Sequence, residues 1–506
     1  MPIAVKVFFA HVLGILLAIY FGQKLAESDW LPIFFITAIV FTFVAVVKYQ
    51  LIAFAVVAFA WSNLTAPFIP GQMNLHYLFG LALIFVTLLR LAFTKTFYYQ
   101  KSWAHFFVII FAGVLALTMA YRGSGFRLLG SESWGGMNYV LLFISISVVF
   151  LLPYINLPEK IWPKALTVMA LLCGLRAFAE FLIMKGIGGD LLNRFVEADN
   201  AIIYAESSGP YSDLMFRVLG LRDAGIILLM ALACHVDFNK IFRINGLAYA
   251  LAILMLLAIT AFSGFRIGVT AFILYFCIIL FYHRAWSIKR LINFIGVTLV
   301  ALIIVGMNLN KLPDAGQRAF SWIPGAKVER HVEYDAEMSA LWRLELWEIA
   351  MELIPKYWLV GKGYAFSFNE LISVLARGRS ADGSTYLQDQ HTWAIVTGNY
   401  HNGVLSALLG LGIFGLIAVA GFMVCACYRH HRFTRSQWNS NTLKMCHTAV
   451  TALFITLTIT FWLMYGDVRQ NMPTLLFLFA CMEALLRCDK NAARYGSSLN
   501  VQAKPE

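Results

Sequence analysis

The chain has 506 residues, 60% of them hydrophobic and 13% charged, with 42 Phe and 13 Trp. A soluble core of that length cannot bury so much apolar surface, so the composition excludes an ordinary water-soluble globule and points to a polytopic membrane protein. The net charge of +12 has anionic lipid as its natural neighbour, and nothing in its distribution calls for nucleic acid.

Crossing the hydrocarbon takes roughly 20 apolar residues per helix. Runs of that kind predict helices near 4–22, 30–47, 49–66, 76–94, 103–121, 137–153 and 161–184. Others follow near 215–236, 244–264, 267–283, 291–308, 401–427, 446–464 and 471–487. The expectation is therefore an all-α integral membrane protein of about fourteen spans. Only Lys6 precedes the first run and no small-x-small cleavage site follows it, so it reads as a retained span. Alternate loops collect Lys48, Lys95, Lys101, Lys160, Lys240, Lys289, Arg290, Arg429, Arg432, Arg435 and Lys444, which places them, with both termini, in the cytoplasm. None of the eight cysteines falls in the opposite, outward loops, so no disulfide framework is implied.

Two outward segments exceed simple turns: about 185–214 and 309–400. The larger is rich in Trp, Tyr and Leu and reads as a folded loop. Within it, "EMSALWRLELWEIAMELIPKYW" puts Trp342, Leu346, Ile349 and Leu353 on one helical stripe and Glu345, Glu348 and Glu352 on another, with Pro355 as the stop. Such a helix either lies on the membrane or caps the bundle. No internal repeat and no interrupted span is evident. The chain reads as one membrane domain, 1–506, with the 309–400 loop outward and a cytoplasmic tail over 488–506.

Ionisable residues at membrane depth are costly and so draw attention. Arg217 and Arg222 stand at the outward start of the eighth predicted helix, in "LMFRVLGLRDAGI", and Arg266 stands in the outward turn "TAFSGFRIGVT". Each arginine alone is accounted for by snorkelling or by pairing with a carboxylate such as Asp223. Several at one depth with few acids nearby favour an anionic ligand, whose phosphate oxygens suit the forked guanidinium. At the same face the polar cluster Tyr400-His401-Asn402 opens the run "GVLSALLGLGIFG". A lone histidine at a helix start is commonly a cap or an interfacial side chain. Here the helix N-terminus and neighbouring arginines disfavour the imidazolium and keep the ring neutral, the form a general base needs. Gly403, Ala407 and Gly410 recur at helical spacing and permit close helix approach. His391 and Asp389 match no standard metal-ligand spacing with His401, and no phosphate-cradling glycine loop or Gly-x-Ser-x-Gly turn occurs.

The ordered motifs resemble the O-antigen ligase and O-antigen polymerase family of bacterial membrane glycosyltransferases. His401-Asn402, nine residues, then Gly412 and Gly415 matches its His-Asn and Gly-x-x-Gly pattern. "SGFRIG" resembles the family's Ser-Arg-Gly turn, with Arg266 as its arginine, although Ile267 separates Arg266 from Gly268. "RVLGLRDAG" resembles the segment that places an arginine at a helix start, here Arg217, with Arg222-Asp223-Ala224 where the family often has Asn-Pro-Asn. "WRLELWEIAMELIPKYWLVGKGYAF" resembles the loop stretch holding Arg343, Trp347, Pro355, Gly361 and Gly363. About fourteen spans is more than the twelve typical of the ligases, and together the motifs cover residues 215–415.

The resemblance implies a multi-span, lipid-dependent glycosyltransferase fold of the GT-C-like class. The implied reaction is a metal-independent, cofactor-free, inverting transfer at the periplasmic face of the inner membrane. The donor would be a glycan on undecaprenyl diphosphate. The acceptor would be lipid A–core for a ligase, a second lipid-linked glycan for a polysaccharide polymerase, or a protein hydroxyl for an O-oligosaccharyltransferase. His401 would take the acceptor proton or donate a hydrogen bond to the diphosphate. Arg217 and Arg266 would stabilise the departing diphosphate, with Arg222, Arg343, Asn402 and Tyr400 as substrate contacts. No position eleven residues after Arg194, Arg217, Arg222 or Arg266 is glycine, so the Arg-x10-Gly pattern of some polymerases is absent, which leans towards a ligase. From a different class, a transporter of lipid-linked sugars would use the same arginines to line a path, with the repeats and broken helices that carriers often show.

Overall fold

A computed structural model describes residues 49–65, 74–94, 101–125, 133–155, 157–184, 187–193, 195–196, 218–241, 246–284, 296, 305–323, 325, 327–367 and 384–502. The spans expected near 4–22 and 30–47, most of that near 291–308, and Arg217 lie outside these residues. The described chain is almost wholly helical: α1 (Tyr49–Phe59), α2 (Leu75–Thr94), α3 (Trp103–Arg122), α4 (Gly136–Ile155) and α5 (Trp162–Met184) come first. They are followed by α6 (Leu219–His235), α7 (Leu247–Ala261), α8 (Arg266–Tyr282), α9 (Asp314–Phe320), α10 (Arg330–Glu352) and α11 (Ser384–Thr397). The last three are α12 (Gly403–Thr434), α13 (Asn441–Leu463) and α14 (Val468–Gln502). Among the described residues seven helices are long and apolar enough to cross a membrane, and α1, α7 and α8 are shorter apolar helices. This is a multi-pass membrane protein.

Continuous apolar composition explains why these segments are helices: inside lipid every backbone N–H and C=O must be satisfied within the segment. Polar residues mark the starts. Ser102 accepts from His105 N at the start of α3, and Ser440 accepts from Leu443 N at the start of α13. Burial identifies the centre: 83% of the α14 span is covered by protein, against 28% for α2. Around α14 pack α4 and α13; α6 lies against α5, α7 and α13, and α12 lies against α3 and α13. At the far end of this bundle Arg429 pairs with Glu483 through both of its carboxylate oxygens, at 2.6 and 3.1 Å. His430 lies 3.2 Å from the same carboxylate and 3.0 Å from His447, which ties α12, α13 and α14 together.

The described residues between 309 and 367 fold onto the bundle. A two-residue antiparallel ladder joins β1 (Ser133–Trp134), just before α4, to β2 (Phe366–Ser367). Arg318 on α9 pairs with Asp335 on α10 and donates to the Gly264 carbonyl at 2.8 Å, fastening this layer to the α7–α8 turn. Helix α10 buries Val332, Ala336, Leu346 and Ala350. The stripe expected from sequence is therefore rotated: Leu346 is inside, Ile349 is 37% exposed, and the small Ala350 takes the inner place. Close approach to Tyr400, Leu405 and Leu409 favours the smaller side chain there.

The expected uninterrupted span at 401–427 is broken. Gly412 in α12 has φ 75° and ψ −174°, which divides the helix into 403–411 and 413–434. The segment 358–363 fills the break: Lys362 N donates to Leu409 O at 2.6 Å, Gly363 N to Gly410 O at 3.0 Å, and Ile413 N to Trp358 O at 2.7 Å. Positive φ with extended ψ is open only to glycine, and a Cβ on Gly412 would strike the Leu359 carbonyl and the Val360 nitrogen. The filling segment is held from behind. Thr118 donates to Val360 O at 3.2 Å, Arg122 Nε to Gly361 O at 2.8 Å, and Tyr364 N to the Tyr139 hydroxyl at 2.9 Å.

Candidate functional site

The polar triplet before α12 occupies the end of the short helical piece 403–411. Asn402 Oδ1 accepts from Val404 N at 3.0 Å and Leu405 N at 3.1 Å, two of the donors a helix start leaves without partners. That oxygen is thereby committed to the cap, which leaves the amide nitrogen for any substrate. Tyr400 is 1% exposed, in an apolar cluster with Ala350, Leu405 and Leu409, and its carbonyl accepts from Trp347 Nε1 at 2.9 Å. The tyrosine ring thus anchors the backbone from within. Between these two fixed residues His401 adopts a left-handed conformation, φ 50°, at a cost of about 1–2 kcal/mol for a residue with a Cβ. A residue is held in that region when its surroundings over-determine it, and such residues cluster at functional sites.

The His401 ring is half-buried between aromatic walls. Trp342 of α10 meets it edge-on with centroids 5.3 Å apart, and Tyr465 of the α13–α14 turn lies 4.6 Å away. Behind Trp342, His391 stacks at 5.3 Å and donates from Nε2 to the Trp342 carbonyl at 2.9 Å, so its role is to brace the indole. His401 Nδ1 is buried and has no hydrogen-bond partner. Burial first, and then the positive charges of Arg343 and Arg469, push its pKa down to about 3. The ring is neutral at physiological pH and has a lone pair available to a donor.

Glycines let the elements close around it. A side chain on Gly403 would run into the Phe461 carbonyl and ring, and one on Gly466 would run into Gly403. Ser406 Oγ accepts from Val468 N at 2.9 Å, which locks the start of α12 to the α13–α14 turn. This turn delivers residues that sequence reading missed. Arg469, 14% exposed, pairs with the fully buried Asp467 at 2.9 Å and contributes to the field at His401. Its place beside His401 depends on a helical hairpin more than 60 residues downstream in the chain, for which no local motif exists.

Arg222 lies against the helix that Arg266 opens. Val218 N donates to Ser263 O at 3.3 Å, which joins the start of α6 to the α7–α8 turn, and Arg222 packs on Gly268 in the first turn of α8, the helix that Arg266 opens. Arg222 holds Asp223 through two contacts, Nε–Oδ1 at 2.7 Å and Nη2–Oδ2 at 3.1 Å, as the pairing reading anticipated. Tyr465 is the common neighbour, interacting electrostatically with Arg222 and in ring contact with His401. Arg343 approaches His401 from α10.

Among the described residues one group could hold a metal ion: Asp314, Glu329 and His331, with one donor atom from each within 4.8 Å. Both nitrogens of His331 already face carboxylates, at 3.1 Å to Asp314 and 3.6 Å to Glu329. It stands eleven residues before Trp342 on α10, roughly 16 Å along the helix axis, and so apart from His401. The site at His401 is built from imidazole, guanidinium and aromatic groups, which suit anions and sugars.

Residues 250–420 match the O-antigen ligase family, a segment that contains Arg266, Arg343, Tyr400, His401, Asn402 and Gly412. Arg222 and the Asp467–Arg469 pair lie outside it. No curated protein matches the chain.

Proposed function

The chain carries an O-antigen ligase domain in a multi-pass membrane bundle, and from that premise we propose that it transfers a glycan from undecaprenyl diphosphate to an acceptor hydroxyl. The reaction takes place at the periplasmic face of the bacterial inner membrane, on a GT-C-like fold, with both termini cytoplasmic. The acceptor is lipid A–core. The observation that carries this reading is His401: a neutral, conformationally fixed imidazole with an unpartnered buried nitrogen, flanked by Arg343 and Arg469.

In a single displacement the acceptor oxygen attacks the anomeric carbon and its proton passes to His401. The new carbon–oxygen bond forms as the bond to the diphosphate oxygen breaks, and the electron pair leaves on phosphate, so configuration inverts. Arg217 and Arg266 stabilise the negative charge that develops there, with Arg222 and Arg343 assisting. The guanidinium groups supply the positive charge, so the step is metal-independent. Asn402 and Tyr400 contribute backbone placement of His401.

The break in α12 bears on the transporter alternative. Carriers use broken helices to expose carbonyls that coordinate ions. Here Leu409 O and Gly410 O are already taken by Lys362 N and Gly363 N, which supports a rigid catalytic site over an ion path.

The test is purified protein with undecaprenyl-diphosphate glycan and lipid A–core, with and without chelator, comparing wild type with His401→Ala. Transfer by wild type alone supports the ligase. Longer lipid-linked chains without transfer to lipid A make the protein a polymerase. A wild type that consumes no donor with any acceptor removes the enzyme reading.

A further inference from the structure

Arg176 and Glu180 sit four residues apart inside α5, 4% and 3% exposed, with Arg176 Nε 2.7 Å from Glu180 Oε1. An ion pair buried at membrane depth is expensive, since desolvation offsets most of the attraction, and such residues are rare in spans without a task. The other carboxylate oxygen has one: Glu180 Oε2 accepts from Gly220 N at 2.6 Å, in the first turn of α6.

That turn lacks a cap of its own. Val218 at the N-cap offers no side-chain acceptor, and no acidic residue occurs in the first turn of α6. A helix start exposes several N–H donors and partial positive charge, both of which call for an anion. Glu180 reaches across from α5 to supply it. Gly220 makes this possible, because a Cβ there would lie 2.7 Å from Glu180 Oε2 and 2.8 Å from Ala177 Cα. Two residues further on stands Arg222, held on its other side by Gly268 of α8.

We propose that Arg176 and Glu180 are positioning residues for Arg222: Glu180 fixes the first turn of α6, Arg176 aims that carboxylate, and Arg222 is thereby set against the lipid diphosphate. The inference rests on the proposed reaction for the identity of the anion. It extends the site by one layer, into a helix outside the ligase domain.

The experiment replaces the pair with apolar side chains, Arg176→Met with Glu180→Leu, since removing both charges together avoids stranding either one. Purified wild type and double variant are compared for melting temperature and for affinity towards undecaprenyl diphosphate itself. A folded double variant should bind it roughly tenfold more weakly, the scale of one displaced charge-assisted contact. In an Arg222→Ala background the same double change should cost nothing further, because the effect passes through Arg222. If that variant does not fold, Arg176→Gln with Glu180→Gln, which likewise strands no charge and leaves Gly220 N only a neutral acceptor, is read in its place, with a weaker affinity expected and wild-type affinity overturning the inference. Wild-type affinity in a folded variant, or an undiminished loss in the Arg222→Ala background, overturns the inference and leaves the proposed reaction standing. A wild type that binds no undecaprenyl diphosphate overturns both.

Discussion

Replacing Gly412 with alanine puts the broken helix to the test. Alanine at φ 75°, ψ −174° occupies backbone space that residues with a Cβ avoid, at a cost of about 1–3 kcal/mol. Its Cβ also collides with backbone atoms of Leu359 and Val360, which cannot swing aside as a side chain would. Relief requires either moving the 358–363 segment or closing α12 into a continuous helix. Either route gives up the hydrogen bonds from Lys362 N, Gly363 N and Ile413 N, worth about 1 kcal/mol each. The total, about 4–6 kcal/mol, is comparable to the whole stability of many domains. In detergent, tryptophan fluorescence should show a large fall in melting temperature, and any protein that still folds should have lost glycan transfer through a displaced His401. A Gly412→Ala variant with wild-type melting and wild-type transfer would falsify the assignment of a strained, backbone-filled break.

Three other outcomes follow from the same geometry. Because His401 titrates at about 3 and not near 6.5, the transfer rate should show no inflection near pH 6.5. Arg343→Met and Arg469→Met should each raise the acid limb, which burial still holds below 6.5, and a wild-type inflection at 6.5 contradicts a neutral buried ring. The linked stability has a definite sign: between pH 6.5 and 3 the unfolded chain takes up a proton that folded His401 refuses, so this residue makes the protein less stable as pH falls through that window. Asn402→Ala removes the acceptor for two helix-start donors and should cost about 1 kcal/mol in thermal or denaturant unfolding, while Asn402→Asp should recover most of it. Arg318→Met removes the ion pair to Asp335 and the donor to the Gly264 carbonyl and should destabilise by about 2–3 kcal/mol, read as early proteolysis of the layer formed by α9 and α10; unchanged cleavage would show that this fastening is unimportant.

The membrane spans were legible in sequence because hydrocarbon imposes a length and a composition that no other environment does. Of the spans expected from 49 to 283 and from 401 to 487, seven are helices long and apolar enough to cross a membrane, while α1, α6, α7 and α8 are shorter and α12 is interrupted. Asn402 before an apolar run was a readable cap, although the amide was assigned to substrate and its oxygen is spent on the helix. The break at Gly412 was not legible: hydropathy is blind to the sign of φ, and the segment that fills the break lies fifty residues upstream. The stripe on α10 was misplaced by one position because periodicity ranks residues by apolarity, whereas contact with Tyr400 favours the smaller Ala350 over Ile349. Arg176 and Glu180 carry a legible signal, opposite charges four apart within an apolar run. Arg469 and Tyr465 left none, since what brings them to His401 is the packing of Gly403 on Gly466.

The division of α12 has a mechanical meaning. Residues 403–411 share no continuous hydrogen-bond ladder with 413–434; their ladder runs instead into 358–363, and from there through Thr118 and Arg122 into α3. The piece that bears His401 is thus a fitting mounted on the outer layer, and the long helix below serves as its pedestal. The histidine is therefore set by two lateral mounts, the 358–363 segment and the α13–α14 turn, more than by the axis of the long helix beneath it.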